Sequence, residues 1–336
     1  MIDYQDSNGN TPLHIAITNG NIECCEFLLN KGADSTIKNN QSHAPIHQCI
    51  LSNQPIILDK FLSHSSHPNI HLGGENGQTA LHYCAYYENL ECAEVLIKHK
   101  VELCRACNYG FFPIHVAAQR CSNKILKFLI EEASKKGCAK LNLLSFVDGD
   151  KNKPLYAAVQ FGNVEAVRLC LENGATIDEI SESDSSTSVH VASSQGSLEI
   201  LEIMAELQPD LFFEVLQSGD SMNMTPLHKA AMFDHIDVAK FLLKKGAYID
   251  EIDKDKRTPM LLAATRNCVK MACFLLSEGA SLKLKDLRQR NILHLIIEQD
   301  FDESVQSQQQ DNMVGQFKVS SNQALDTLIE ELSKVK

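Results

Sequence analysis

Thr11-Pro12-Leu13-His14 decides the fold because it recurs. Ala44-Pro45-Ile46-His47, Thr79-Ala80-Leu81-His82 and Phe112-Pro113-Ile114-His115 follow it. Weaker copies stand at Lys153-Pro154-Leu155-Tyr156 and Thr187-Ser188-Val189-His190, and a clean one at Thr225-Pro226-Leu227-His228. Thr258-Pro259-Met260-Leu261 and Asn291-Ile292-Leu293-His294 close the series. Successive fourth positions are separated by 33, 35, 33, 41, 34, 38, 33 and 33 residues. A period of this length describes one small supersecondary unit stacked on copies of itself, each with an apolar face it cannot bury alone.

The first copy shows the logic of the unit. Asp6-Ser7-Asn8-Gly9 reads as a turn, with Gly9 at positive φ. Thr11 is placed to cap a helix whose first turn accepts Pro12. Leu13, Ile15, Ala16 and Ile17 are expected to bury that helix, and Asn19-Gly20-Asn21 to break it. A second helix through Ile22, Cys25, Leu28 and Leu29 should end at Gly32, an ending repeated at Gly174-Ala175, Gly246-Ala247 and Gly279-Ala280. The 33-residue spacing is the ankyrin period. The expected fold is therefore an all-α ankyrin-repeat solenoid, built of stacked helix pairs with short β-hairpin fingers.

Composition agrees. Hydrophobic residues make up 44% of the 336, enough for a large core, while aromatics are 6% and Trp is absent, so the core is aliphatic. The net charge of −12 argues against a nucleic-acid binder. No apolar run approaches the ~18 residues of a membrane span, and the N-terminus has no signal-peptide pattern. Twelve scattered cysteines read as reduced thiols in the cytosol. The array is expected over residues 1–300, a polar flexible segment over 301–323, and an amphipathic helix over 324–336, part of a truncated further repeat. Two insertions are expected as loops or hairpin tips, near Lys135–Leu141 and near Pro209–Phe213. The serine-rich stretch Glu182–Ser188 is expected to be the least regular unit and a candidate hinge.

Several phrases exceed the generic repeat: Gly74-Glu75-Asn76-Gly77-Gln78-Thr79-Ala80, Ala158-Val159-Gln160-Phe161-Gly162-Asn163, Cys170-Leu171-Glu172-Asn173-Gly174-Ala175, Phe233-Asp234-His235 and Arg290-Asn291-Ile292-Leu293-His294-Leu295. With the eight-residue insertion they resemble the N-terminal ankyrin region of TRPA-type transient receptor potential cation channels. The resemblance implies the cytosolic segment of a calcium-permeable, tetrameric channel subunit at the plasma membrane. It implies a role as interaction and coupling element, with further channel segments and a homotetramer as partners. The sequence has no membrane helices or pore and is expected to be a partial subunit, a truncated gene model or a short isoform, unable to conduct. The alternative is a free-standing ankyrin scaffold or adaptor that recruits protein partners.

Candidate sites divide by chemistry. His14, His47, His82, His115, His190, His228 and His294 share the fourth motif position. They are read as structural, bonding neighbouring turns, because stacking separates them far beyond the ~2 Å bonds of one zinc ion. Cys104-Arg105-Ala106-Cys107 has redox spacing and flanks a hairpin tip, with Cys107 in the slot of Asp6. Cys104 and Cys107 are thus the candidate reactive thiols, set against ordinary packing. Asp148-Gly149-Asp150-Lys151-Asn152 opens like a calcium loop, but Lys153 and Val159 stand where glycine and glutamate are needed, so Asp148 is read as the hairpin aspartate. No nucleophile–base pair, phosphate loop or cofactor signature is present, so no enzyme is expected. The expected interaction surface is a concave face of hairpin tips and first helices, with Asn39, Asn40, Tyr109, Phe111, Glu182, Lys254 and Arg257 exposed to protein partners.

Overall fold

The computed structural model describes residues 2–64, 70–135 and 142–297. The segments expected over 301–323 and 324–336 lie outside the described residues. Two compact units divide the chain, Met1–Ala175 and Thr176–Lys336.

In the first unit, short helices alternate as first and second members of pairs. They are α1 (Pro12–Thr18), α2 (Ile22–Asn30), α3 (Pro45–Leu51), α4 (Pro55–Ser63), α5 (Ala80–Tyr87), α6 (Leu90–Lys98), α7 (Pro113–Gln119), α8 (Asn123–Lys135), α9 (Pro154–Gln160) and α10 (Val164–Glu172). Proline occupies the first turn of α1, α3, α7 and α9, where no intrahelical N–H is needed. The first helices pack in sequence, α1 on α3, α3 on α5, α5 on α7 and α7 on α9. Their seam is the third motif position: Leu13, Ile46, Leu81, Ile114 and Leu155 are all buried. The second helices form a parallel row, α2 on α4, α4 on α6, α6 on α8 and α8 on α10. Ile15, expected in the core, is 42% exposed: it follows His14 on the side of α1 away from Leu13 and Ile17.

The second unit continues with α11 (Ser188–Gln195), α12 (Leu198–Leu207), α13 (Pro209–Val215), α14 (Pro226–Met232), α15 (Ile236–Lys244), α16 (Pro259–Thr265) and α17 (Val269–Ser277). Residues 292–297 are helical again. Here α11 packs on α14 and α14 on α16, with Val189, Leu227 and Met260 fully buried in the seam. The second-helix endings follow the expected pattern. The Ala175, Ala247 and Ala280 amides reach back to the Cys170, Leu242 and Leu275 carbonyls at 3.0 Å each.

The two insertions differ. At the first, α8 runs for 13 residues to Lys135, and the expected loop over 136–141 lies outside the described residues. At the second, the chain forms α13, because Pro209 starts a helix and Phe212 and Val215 supply it with a buried face. In the Glu182–Ser188 stretch, Thr187 forms an antiparallel bridge with Ile180, the one bridge outside helices among the described residues. Its cap is intact, with Thr187 Oγ1 2.8 Å from His190 Nδ1.

Candidate functional site: the finger rows

Most fingers are built around one polar side chain eight residues before the fourth motif position, as at Asp6, Asn39, Asp148, Asp220, Asp253 and Asp286. Asp6 Oδ1 accepts the Asn8 and Asn10 amides, both at 2.8 Å. Asp148 does the same with Asp150 and Asn152, Asp220 with Met222 and Met224, and Asp253 with Asp255 and Arg257. Asp148 thus spends its carboxylate on backbone amides, as its register implied. The turn then closes through the backbone, as in Asp6 N–H to the Asn10 carbonyl at 2.9 Å. Adjacent fingers join edge to edge, Asn40 N–H to the Asn8 carbonyl at 3.0 Å and Asn108 N–H to the Asn76 carbonyl at 2.9 Å. That approach is close enough to need glycine at Gly110, where φ is +78° and a Cβ would stand 2.5 Å from the Gly149 nitrogen.

The histidines tie helices to fingers. His14 Nδ1 takes the Thr11 backbone N–H at 3.2 Å and lies 2.9 Å from the Thr11 hydroxyl. A backbone N–H only donates, so Nδ1 is an acceptor, and the network assigns the proton to Nε2. Nε2–H then donates to the His43 carbonyl in the next finger at 3.0 Å. The same rung joins His82 to Phe111 at 2.9 Å, His115 to Asn152 at 3.2 Å, His190 to Met224 at 3.0 Å and His228 to Arg257 at 3.0 Å. Burial, which disfavours the charged ring, drives His82, His115 and His190 down to about 4 and also lowers His14 and His228. Where the fourth residue is Leu261, the Thr258 hydroxyl reverts to an ordinary cap and accepts the Leu261 amide at 3.3 Å.

Two of the seven motif histidines depart from the rung. His47 Nδ1 accepts the Ala44 amide at 3.1 Å, while its buried Nε2 lies near the Leu72 and Gln78 backbone without a well-formed hydrogen bond, and the Tyr83 ring centroid lies 5.0 Å from its own. Burial holds His47 at about 4. His294 is exposed and turns Nδ1 to Asn291 Oδ1, the side chain at its own N-cap.

Several candidate surface residues are placed differently from expectation. Asn39 is buried, because its Oδ1 accepts the Gln41 and His43 amides and so performs the turn role of Asp6. Arg257 is turned inward: Nε reaches Asp253 Oδ2 at 2.8 Å and a terminal nitrogen reaches Asp255 at 3.0 Å. Phe111 is half-buried, its ring 6.3 Å from that of His115. Asn40, Glu182 and Lys254 are exposed, and Tyr109 is 61% exposed.

The cysteines also reorder. Cys107 does occupy the Asp6 slot, but it is buried, because that slot points beneath the turn rather than off its tip. Cys104 is half-buried, whereas Cys24 and Cys121 are exposed. Burial pushes the Cys25 and Cys92 thiols up to about 11 and Cys170 to about 12, and also raises Cys49 and Cys84 well above the ordinary thiol value. Cys138 lies outside the described residues. No group of three or more His, Cys, Asp or Glu side chains suited to a metal occurs among the described residues. An open apolar recess of about 600 Å³ lies beside α1 and α2, lined by Tyr4, Ile15, Cys24, Phe27 and Leu28 among others.

A profile of ankyrin repeats (three copies) matches residues 1–71, 46–140, 132–212 and 207–286. The chain belongs to the ankyrin-repeat family. The ankyrin repeat domain of Bcl-3 shares the fold, with a TM-score of 0.57 at 24% identity, covering 70% of this chain and all of that one. This ankyrin-repeat chain is 42% identical over 231 residues to the Drosophila melanogaster transient receptor potential cation channel subfamily A member 1, over 68% of its own length. It is 33% identical over 301 residues, 90% of its length, to the human protein of that name. The resemblance read from the sequence therefore stands as homology to the N-terminal ankyrin region of those proteins. The chain spans 19% and 27% of their lengths. Human Rabankyrin-5 matches at 32% over 52% of this chain. No helix among the described residues is long and apolar enough to cross a membrane.

Proposed function

We propose that this chain is the cytosolic ankyrin-repeat segment of a TRPA-type cation channel subunit. It acts there as a non-catalytic interaction and coupling element, with the plasma membrane as the site of the assembled tetramer. The observation that carries the reading is the extent of the likeness: 90% of the chain aligns with the human channel protein, against 52% with Rabankyrin-5 at nearly the same identity. That alignment, at 33% identity, runs across the irregular offsets of 41 and 38 residues as well. The rung geometry suits a coupling role. His14, His82, His115, His190 and His228 each fasten one repeat's helix to the next repeat's finger, so a displacement at one of these fingers is passed on by direct bonds.

Long-read sequencing of the transcript that encodes Lys336 tests this. An open frame continuing into six apolar runs supports the channel segment. A stop codon with no such exons in the locus supports the alternative, a free-standing ankyrin adaptor.

A further inference from the structure

The second unit holds a row of fingers whose backbones are bonded in order. Ser221 N–H donates to the Asp184 carbonyl at 2.7 Å, Lys254 N–H to Met222 at 3.0 Å, and Leu287 N–H to Asp255 at 2.7 Å. Charge changes sign along this row. The first finger carries Asp178, Glu179, Glu182 and Asp184 with no cation among them. The finger over 283–290 carries Lys283, Lys285, Arg288 and Arg290 against Asp286 alone.

That one carboxylate is already used. Asp286 Oδ1 accepts the Arg290 amide and Oδ2 the Arg290 Nε, both at 2.8 Å. Lys283, Lys285 and Arg288 stay exposed. The neighbouring finger adds exposed Lys254 and Lys256, while its Arg257 is held by Asp253 and Asp255. The Leu287–Asp255 backbone bond sets the two tips side by side, and the Leu287 side chain is 59% exposed between them. An exposed leucine flanked by cations that have no ion pair among the described residues, on a chain of net charge −12, marks a surface shaped for a partner rather than for solvent.

We propose that these two fingers bind an acidic peptide segment carrying an apolar side chain. Leu287 receives the apolar group, and Lys254, Lys256, Lys285 and Arg288 meet carboxylates on either side. The proposal rests on the interaction role given above and names the partner's chemistry. A peptide fits better than an anionic membrane, because Asp255 lies 48% exposed within the patch. Spaced carboxylates can avoid it, and a continuous anionic sheet cannot.

The test is fluorescence anisotropy of a labelled peptide of alternating Glu and Leu against the 336-residue chain. Saturable binding that weakens with salt is expected. The Lys285→Glu/Arg288→Glu double variant should weaken it by about tenfold or more, and Leu287→Ser by several-fold. All three side chains are exposed, and thermal melting followed by circular dichroism confirms that each variant folds. A Lys–Leu peptide should not bind. Failure to bind the Glu–Leu peptide overturns the proposal. So does equal binding by the double variant, or binding of phosphatidylserine vesicles with no binding of the peptide. None of these outcomes depends on what the transcript encodes, so the two readings fail separately.

Discussion

His82 and Phe111 are 29 residues apart, and the His82 Nε2–H meets the Phe111 carbonyl oxygen at 2.9 Å. One imidazole therefore closes its own helix start through Thr79 and anchors the finger that follows. It does so only while neutral, because Nδ1 must accept the Thr79 amide.

Stability should accordingly fall on mild acidification. His47, His82, His115 and His190 sit at about 4 when folded, against 6.5 when unfolded. Below pH 6.5 the unfolded chain takes up protons that the folded chain refuses, so their stabilising effect is complete above that pH and lost progressively toward pH 4. At pH 5 each such histidine removes about 2 kcal/mol. Urea unfolding at pH 7 and pH 5 should show the difference, and His82→Gln should reduce the slope. Equal midpoints at the two pH values would refute the rung chemistry.

Leu227→Ala should cost about 2–5 kcal/mol, since Leu227 is fully buried between α11, α14 and α16. Coupling between repeats is nearest-neighbour, so hydrogen exchange should accelerate in the flanking repeats of the second unit. Uniform acceleration across every repeat would contradict modularity.

Gly110→Ala should cost more than Gly162→Ala. Both glycines have positive φ, +78° and +68°, so both pay the left-handed penalty of about 1 kcal/mol. Only at Gly110 does the new Cβ also meet the neighbouring finger, 2.5 Å from the Gly149 nitrogen. Equal melting temperatures for the two variants would show that the finger contact is slack.

Limiting iodoacetamide should label Cys24 and Cys121 first and Cys104 later, with Cys49, Cys84 and Cys170 last. The first two thiols are exposed, while burial both shields the last three and raises their pKa values. Mass spectrometric mapping checks the order. Early labelling of Cys107 would mean that the finger opens in solution.

The repeated Thr-Pro-Leu-His carried the fold plainly, because a helix start with proline in its first turn and a histidine at its fourth position is a local pattern. What lay beyond it depended on contacts. Asn39 and Cys107 read as tip residues until the turn placed them beneath it, although the eight-residue offset to His47 and His115 already gave them the slot of Asp6. Arg257 read as a free cation, and its pairing partner four residues earlier was the available warning. Helix α13 was hidden because insertions carry no period, although Pro209 followed by Phe212 and Val215 is a helix start with a buried face. Leu287 and Arg288 were missed because the sign of charge has to be compared finger by finger. The loosened rung at His47 had no signal in the motif itself, since Ala44-Pro45-Ile46-His47 keeps the histidine and loses only the Thr11-type hydroxyl.

The central claim, that this chain is one segment of a larger channel subunit, is tested most directly by the size and location of the native protein. An antibody raised against the purified chain should be used on soluble and membrane fractions of the source tissue. The account predicts a membrane-fraction band several times larger than the 37.4 kDa of this chain. A single soluble band at 37.4 kDa would contradict it and leave the free-standing adaptor.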